Sequence, residues 1–251
     1  MPIDCRLRVG GAVVAVTGLW GAYVVHIVAA LIAAGVLVMV KDLSDKPGSQ
    51  PDEPSASTLR AMVRRQHSVL STIGLGVLVI SAVRATRQVA VPLWGQELGL
   101  SPTTISLIFG VSGAVDMLLF YPAGKVMDRF GRLWVAVPSL IVLGASLALV
   151  PITQSAAALT VVGLVMSVGN GMSSGIVMTL GADLAPPDQR PVFLGVWRVF
   201  SDTGNGVGPF VIAGVTAVAT LGVGIVSMGA VGLIGAGWLG YWIPRRGHPR
   251  G

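Results

Sequence analysis

The sequence predicts an all-helical membrane protein with about seven spans. Three observations predict it. Apolar residues make up 53% of the 251-residue chain and charged residues 11%, against about 25% charged in an ordinary soluble domain. The apolar residues fall in runs of about 20, the length a helix needs to cross the ~30 Å hydrocarbon core. Lysines and arginines collect in alternate breaks between the runs, the positive-inside pattern of a polytopic protein. The composition excludes disorder, which needs low hydrophobicity and high charge. The formal charge of +6 follows from loop cations and does not indicate a nucleic-acid partner. A single cysteine, Cys5, excludes a disulfide framework and a Cys-based metal site.

Residues 1–43 read as the end of one helix followed by a full transmembrane helix. The apolar stretch 9–40 is too long for one span and is interrupted by Thr17-Gly18-Leu19-Trp20-Gly21. Residues 9–16 reach only about 12 Å at 1.5 Å per residue and cannot cross; residues 23–40 can. Residues 44–67 read as a cytoplasmic linker, with Pro47, Pro51, Pro54 and charges of both signs. Its end, 59–65, has the composition of a short basic helix lying on the membrane surface. Residues 68–244 read as a six-helix transmembrane bundle, with segments near 69–94, 103–123, 133–149, 156–184, 192–217 and 222–243. Residues 245–251 form a basic tail.

If the linker is cytoplasmic, the loops on its side are 124–132, 186–191 and the tail. With the linker and Lys41 just before it they hold twelve Lys and Arg, and the loops on the other side hold none. The expected location is therefore the inner or plasma membrane, with linker and C-terminus cytoplasmic.

Residues 124–132 read Gly-Lys-Val-Met-Asp-Arg-Phe-Gly-Arg. This resembles the G-x-x-x-D-R-x-G-R motif of the major facilitator superfamily, which lies in a short cytoplasmic loop between two helices. Gly99-Leu100-Ser101-Pro102 looks like the lead into that family's helix 8. Pro186-Pro187-Asp188-Gln189-Arg190 with Leu194-Gly195-Val196-Trp197-Arg198 looks like the loop into its helix 11. Gly204-x-x-x-Gly208-Pro209 resembles a glycine-proline pattern of its antiporters. The resemblance implies the C-terminal half of such a transporter, from the end of helix 5 through helix 12: a six-helix bundle plus one preceding span. Helices 1–4 are not matched. It also implies a secondary active transporter that binds its substrate between two halves.

Polar groups within spans are expensive and mark candidate sites. Arg84 and Arg87 lie three residues apart on one helical face, a cationic pair for an anionic or polar substrate group. Counting residues places Asp116 about 10 Å from the cytoplasmic side and Asp202 near mid-membrane. Desolvation favours the neutral form of a carboxylate there, which is the chemistry of proton coupling. Arg198 precedes Asp202 by one helical turn and shares the expected depth of Asp116, so an ion pair with either is the structural reading. Asn170, between two glycines, adds a polar group, although packing explains the small residues around it. Trp197 and Trp94 are candidates to line a substrate path.

Gly124 opens the motif and Gly131 gives its tight turn. Asp128, Arg129 and Arg132 supply charges that latch helix ends, with Asp183 as a partner. The expected role is conformational gating. No Walker loop, nucleophile–base set or metal-spaced cluster is present in the sequence, so the expectation is a non-enzyme with no cofactor, driven by a proton gradient. The expected partners are membrane lipid, a small-molecule substrate and a separate N-terminal half. The antiporter-like pattern favours efflux. The alternatives are uptake of a sugar or organic acid, or a truncated membrane protein without transport activity.

Overall fold

The computed structural model describes residues 56–246, together with Val24, Ile27, Val28, Leu31, Ile32 and Gly35 of the first apolar stretch. The chain divides into two units, Met1–Asp52 and Glu53–Gly251. In the first unit the six described residues are helical, within the span expected at 23–40. The helix end expected at 9–16, most of the linker's first half and the tail beyond Arg246 lie outside the described residues.

The described part of the second unit is helical throughout and contains no strand. Helix α1 (Ala56–Val69) passes through a π-helical turn, Leu70–Gly74, into α2 (Leu75–Glu97). Then follow α3 (Pro102–Phe130), α4 (Leu133–Leu149), α5 (Ala156–Ser173), α6 (Ile176–Leu184), α7 (Arg190–Val218) and α8 (Leu221–Arg246).

The boundaries follow from local chemistry. Gly99 takes φ +68° to end α2, where a side chain would be strained. Ser101 then caps α3, its hydroxyl accepting from Thr104 N–H at 3.2 Å, and Pro102 occupies the first helical position. Gly131, at φ +92°, closes α3. Ser155 caps α5 through Ala158 N–H.

Two expectations are corrected. The linker does not extend to residue 67, and 59–65 is not a separate surface helix. Residues 56–97 form one helical column, because no proline interrupts 56–91 and Met62 is fully buried, tying α1 to the bundle. The segment expected at 103–123 does not stop at residue 123, because α3 continues to Phe130 and the loop motif begins as helix. Asp116 is therefore fourteen residues from either end of α3, at its middle.

Among the described residues, five helices are long and apolar enough to cross a membrane: Leu59–Glu97, Pro102–Phe130, Leu133–Ile152, Ala156–Leu184 and Leu221–Arg245. Helix α7 has 29 residues but carries Arg198, Asp202 and Asn205 on its exposed side. Its buried stripe, Phe193, Trp197, Gly204, Gly208 and Ile212, faces inward.

Helix α2 runs along α7, α4 along α8, and α3 along α5. Small residues set these distances. A Cβ on Gly204 or Gly208 would overlap the carbonyls of Leu78 and Ala82, and one on Gly144 would lie 2.8 Å from the Gly229 carbonyl. Between the helices sits an apolar core that includes Ile73, Val77, Ile80, Leu140, Leu143, Leu147 and Met166.

Candidate functional site

At the middle of the bundle, α2, α3 and α5 bring their polar residues together. Gly171 makes this possible, since a Cβ there would lie 2.8 Å from the Asp116 carbonyl. The close approach sets Asn170 of α5 against Asp116 of α3. Asn170 Nδ2 donates to Asp116 Oδ2 at 3.1 Å, and its Oδ1 accepts from Arg84 Nε at 3.0 Å. Arg87 Nη1 donates to the same Asp116 Oδ2 at 2.7 Å, and its Nη2 to Ser167 Oγ at 2.9 Å. The Arg87 guanidinium also lies 5.8 Å from the Phe109 ring centroid, within cation–π range.

Arg84, Arg87, Asp116 and Asn170 thus form one cluster with two cations and one carboxylate. Arg87 is 4% exposed. It neither snorkels to the surface nor faces a cavity; a chain of direct hydrogen bonds holds it inside. Such a pair is retained because an unpaired charge there would be costly. Arg84 is half-buried, and its bond to the neutral Asn170 is its only hydrogen bond among the described residues. Beside the cluster is a cavity of about 240 Å³ lined by Asp116, Met117, Phe120, Asn170, Gly171 and Ser174.

Arg198 does not reach Asp116. Its Nε donates to both Asp202 oxygens at 3.0 Å, one turn away on α7, and both side chains are more than half exposed. Trp197 does not line a path. It is buried, stacks on Phe193 with ring centroids 5.6 Å apart, and its indole N–H donates to the Val177 carbonyl at 2.8 Å. Trp94 is tied to Thr153, its N–H donating to Oγ1 at 3.0 Å. It borders an apolar groove of about 620 Å³ at the Glu97 end of α2, away from the charge cluster.

At the α3–α4 junction, Arg132 makes a two-pronged contact with Asp183 of α6: Nε to Oδ2 at 2.7 Å and Nη2 to Oδ1 at 3.3 Å. Its Nη1 donates to the Met127 carbonyl at 3.3 Å. Asp128 is exposed and makes no hydrogen bond or ion pair among the described residues. Arg129 lies over the Phe130 ring at 5.4 Å. A Cβ at Gly124 would meet nothing within 4 Å. A second ion pair at this end joins Arg65 of α1 to Asp188 at 3.0 Å.

The sequence profile described as Major Facilitator Superfamily matches residues 73–251. The chain belongs to the major facilitator superfamily. It is an integral membrane protein of a family of transporters rather than of enzymes, and corresponds to the C-terminal portion of such a protein. It is similar to the probable sulfoacetate transporter SauU of Cupriavidus necator, with 23% identity over 180 residues. The similarity covers 72% of this chain and 41% of that relative, so the chain spans about two fifths of the relative's length.

Within this superfamily member, sequence reasoning missed Ser167 and Phe109 as partners of Arg87. Ser167 precedes Asn170 by three residues, a spacing that puts both on one face of α5 and could have identified it. Nothing in the sequence distinguishes Phe109 from the other apolar residues of α3.

Proposed function

We propose that this chain carries the anion-binding site of a secondary transporter for a small organic acid. The observation that carries the reading is the charge balance of the central cluster. Two guanidiniums stand near one carboxylate; Arg87 bonds it, and Arg84 is left with a neutral partner. A half-buried guanidinium with unused donors is a ready ligand for a carboxylate or sulfonate. The name of the relative, a probable sulfoacetate transporter, supports a substrate of this class. The cavity beside Asn170 is smaller than the roughly 300–1,000 Å³ of pockets for drug-sized ligands, which suits a compact acid.

Transport requires two halves that rock about the bound substrate. The moving assembly in this reading is this bundle with a second six-helix half, facing the polar side of α7 and the largely exposed α3. Arg132–Asp183 latches one conformation of the basic end, and Asp128 is free to engage the other half. The linker and C-terminus face the cytoplasm. The glycine-proline pattern of α7 offers no argument for efflux here, because Gly204 and Gly208 are used to pack α7 against α2.

The test is calorimetric titration of sulfoacetate into the chain held in lipid nanodiscs. A charge-assisted hydrogen bond contributes about 1.5–3 kcal/mol. Arg84→Gln should therefore weaken binding by about 10- to 100-fold, and Arg84→Lys by less. Equal binding by Arg84→Gln and the unaltered chain would overturn the assignment.

A further inference from the structure

We propose that the apolar groove at the Glu97 end of α2 seats one acyl chain of a zwitterionic phospholipid with a primary-amine headgroup, whose ammonium lies on the Glu97 carboxylate. The site is separate from the Arg84–Arg87 cluster and does not depend on it.

The groove, about 620 Å³, forms where α2 ends, α4 gives way to the turn Val150–Ile152 and α8 begins. Gly222 sets its floor. A Cβ there would lie 3.3 Å from Pro151 Cβ and 3.7 Å from Trp94 Cζ3, so the start of α8 sits directly on both. Val223 and Val226 form the wall on α8 and are 51% and 41% exposed. The stretches Leu59–Glu97, Leu133–Ile152 and Leu221–Arg245 that meet here are each long and apolar enough to cross a membrane. The groove therefore opens on the flank of membrane spans, where the surrounding medium is lipid. Its volume falls within the roughly 300–1,000 Å³ of pockets that hold a small molecule, the scale of one acyl chain. In lipid no hydrophobic force selects an occupant for an apolar wall, so the selection falls to the polar groups at its rim.

Four lining side chains are polar, and three are already engaged. The Trp94 N–H donates to Thr153, Ser227 Oγ donates to the Gly224 carbonyl at 2.7 Å, and Thr220 Oγ1 accepts from Val223 N–H at 3.3 Å. Glu97 alone of the four makes no hydrogen bond or ion pair among the described residues. It is exposed, three residues from Trp94, so the carboxylate and the aromatic wall share one face of α2. It is also the only charged residue in 94–101, 149–156 and 217–224, which contain the three turns at this end. A carboxylate with no cation from its own bundle, beside an apolar groove, is complemented by an ammonium that brings N–H donors and a tail. An anionic headgroup is repelled, a choline headgroup has no N–H to donate, and a soluble amine brings no chain for the groove. The motif residues Asp128 and Arg129 lie at the other end of α3 and take no part.

The experiment is native mass spectrometry of the full chain in mild detergent, titrated with phosphatidylethanolamine or phosphatidylcholine of identical acyl chains. An exposed ion pair is worth about 2- to 5-fold in affinity, and phosphatidylethanolamine should lead by that margin. Glu97→Gln, at an exposed position, should erase the preference and leave phosphatidylcholine binding unchanged. Val226→Trp, which fills the groove, should remove one bound lipid of either headgroup. Thermal unfolding gives a second readout: phosphatidylethanolamine should raise the midpoint of the unaltered chain above that in phosphatidylcholine, and Glu97→Gln should remove the difference. Equal binding of the two lipids by the unaltered chain overturns the proposal. So does a preference that survives Glu97→Gln, which would place the amine elsewhere. Glu97-dependent binding of dodecylamine without any preference between the lipids would make the groove a site for a free amine and overturn the lipid assignment.

Discussion

Arg87 and Arg198 are both charged residues well inside long helices, yet their surroundings separate them. Arg87 is 4% exposed, with Asp116, Ser167 and Phe109 around it, so Arg87→Ala leaves a buried carboxylate without its cation. Losses of this kind cost about 3–5 kcal/mol. Arg198 and Asp202 are 61% and 54% exposed, and exposed pairs of this spacing contribute less than about 1 kcal/mol. Denaturant unfolding of the two alanine variants in matched detergent should therefore show a large loss for Arg87 and a small one for Arg198. Comparable losses would mean that α7 carries more of the fold than its exposure suggests. The sequence places Arg84 and Arg87 on one face and marks Asp116 as costly. It does not reveal that they meet, because that depends on how deep α3 sits. A span ending at 123 puts Asp116 too near one end, because α3 runs seven residues past that position, through a stretch whose Lys125, Asp128 and Arg129 read as loop.

Among the elements, helix ends were legible and helix continuity was not. Ser101-Pro102, Ser155 and Gly131 announce their roles by chemistry that needs no tertiary context. The joining of α1 to α2 is set by burial of Met62 and cannot be seen in a charged, serine-rich stretch. The contact between α3 and α5 depends on Gly171. Gly171→Leu should push the helices apart, break the Asn170–Asp116 bond and weaken anion binding, with an overpacking cost of about 1–3 kcal/mol. Gly110, whose Cβ would meet nothing within 4 Å, supplies the control. Gly110→Ala should be neutral or stabilise α3 by up to about 1 kcal/mol, as read by thermal unfolding. If Gly171→Leu binds sulfoacetate like the unaltered chain, the α3–α5 approach is not what forms the site.

For the whole molecule, the twelve basic residues expected on one side predict an orientation that labelling can check. Cys5 is the only cysteine, so a Cys5→Ser background is blank. In intact cells a membrane-impermeant maleimide should label Gln154→Cys, and should label Pro187→Cys only after permeabilisation. The reverse pattern would invert the protein. In the assembled transporter, Asp128→Asn should slow transport while leaving membrane insertion and sulfoacetate binding intact, because Asp128 has no partner among the described residues. Unchanged transport would remove the gating role. The fold class and the motif loop were legible at this scale because both are compositional and local. The charge cluster was not, since three helices must first be assembled.

The π turn at Leu70–Gly74 sets the angular phase between the two parts of the long first column. Its Thr72 carbonyl accepts from the Trp238 indole N–H at 2.8 Å, which locks the turn against α8. A π turn holds one residue more than an α turn, and each residue of an α-helix advances the face by about 100°. Deleting Ser71 would restore ordinary pitch and swing α1 around by about that angle relative to α2. Met62 would leave the core and Arg65 would face away from Asp188, while Arg84 and Arg87 stayed where they are. One surplus residue thus works as a vernier, letting the charged end and the central cluster of the same helix point toward different neighbours.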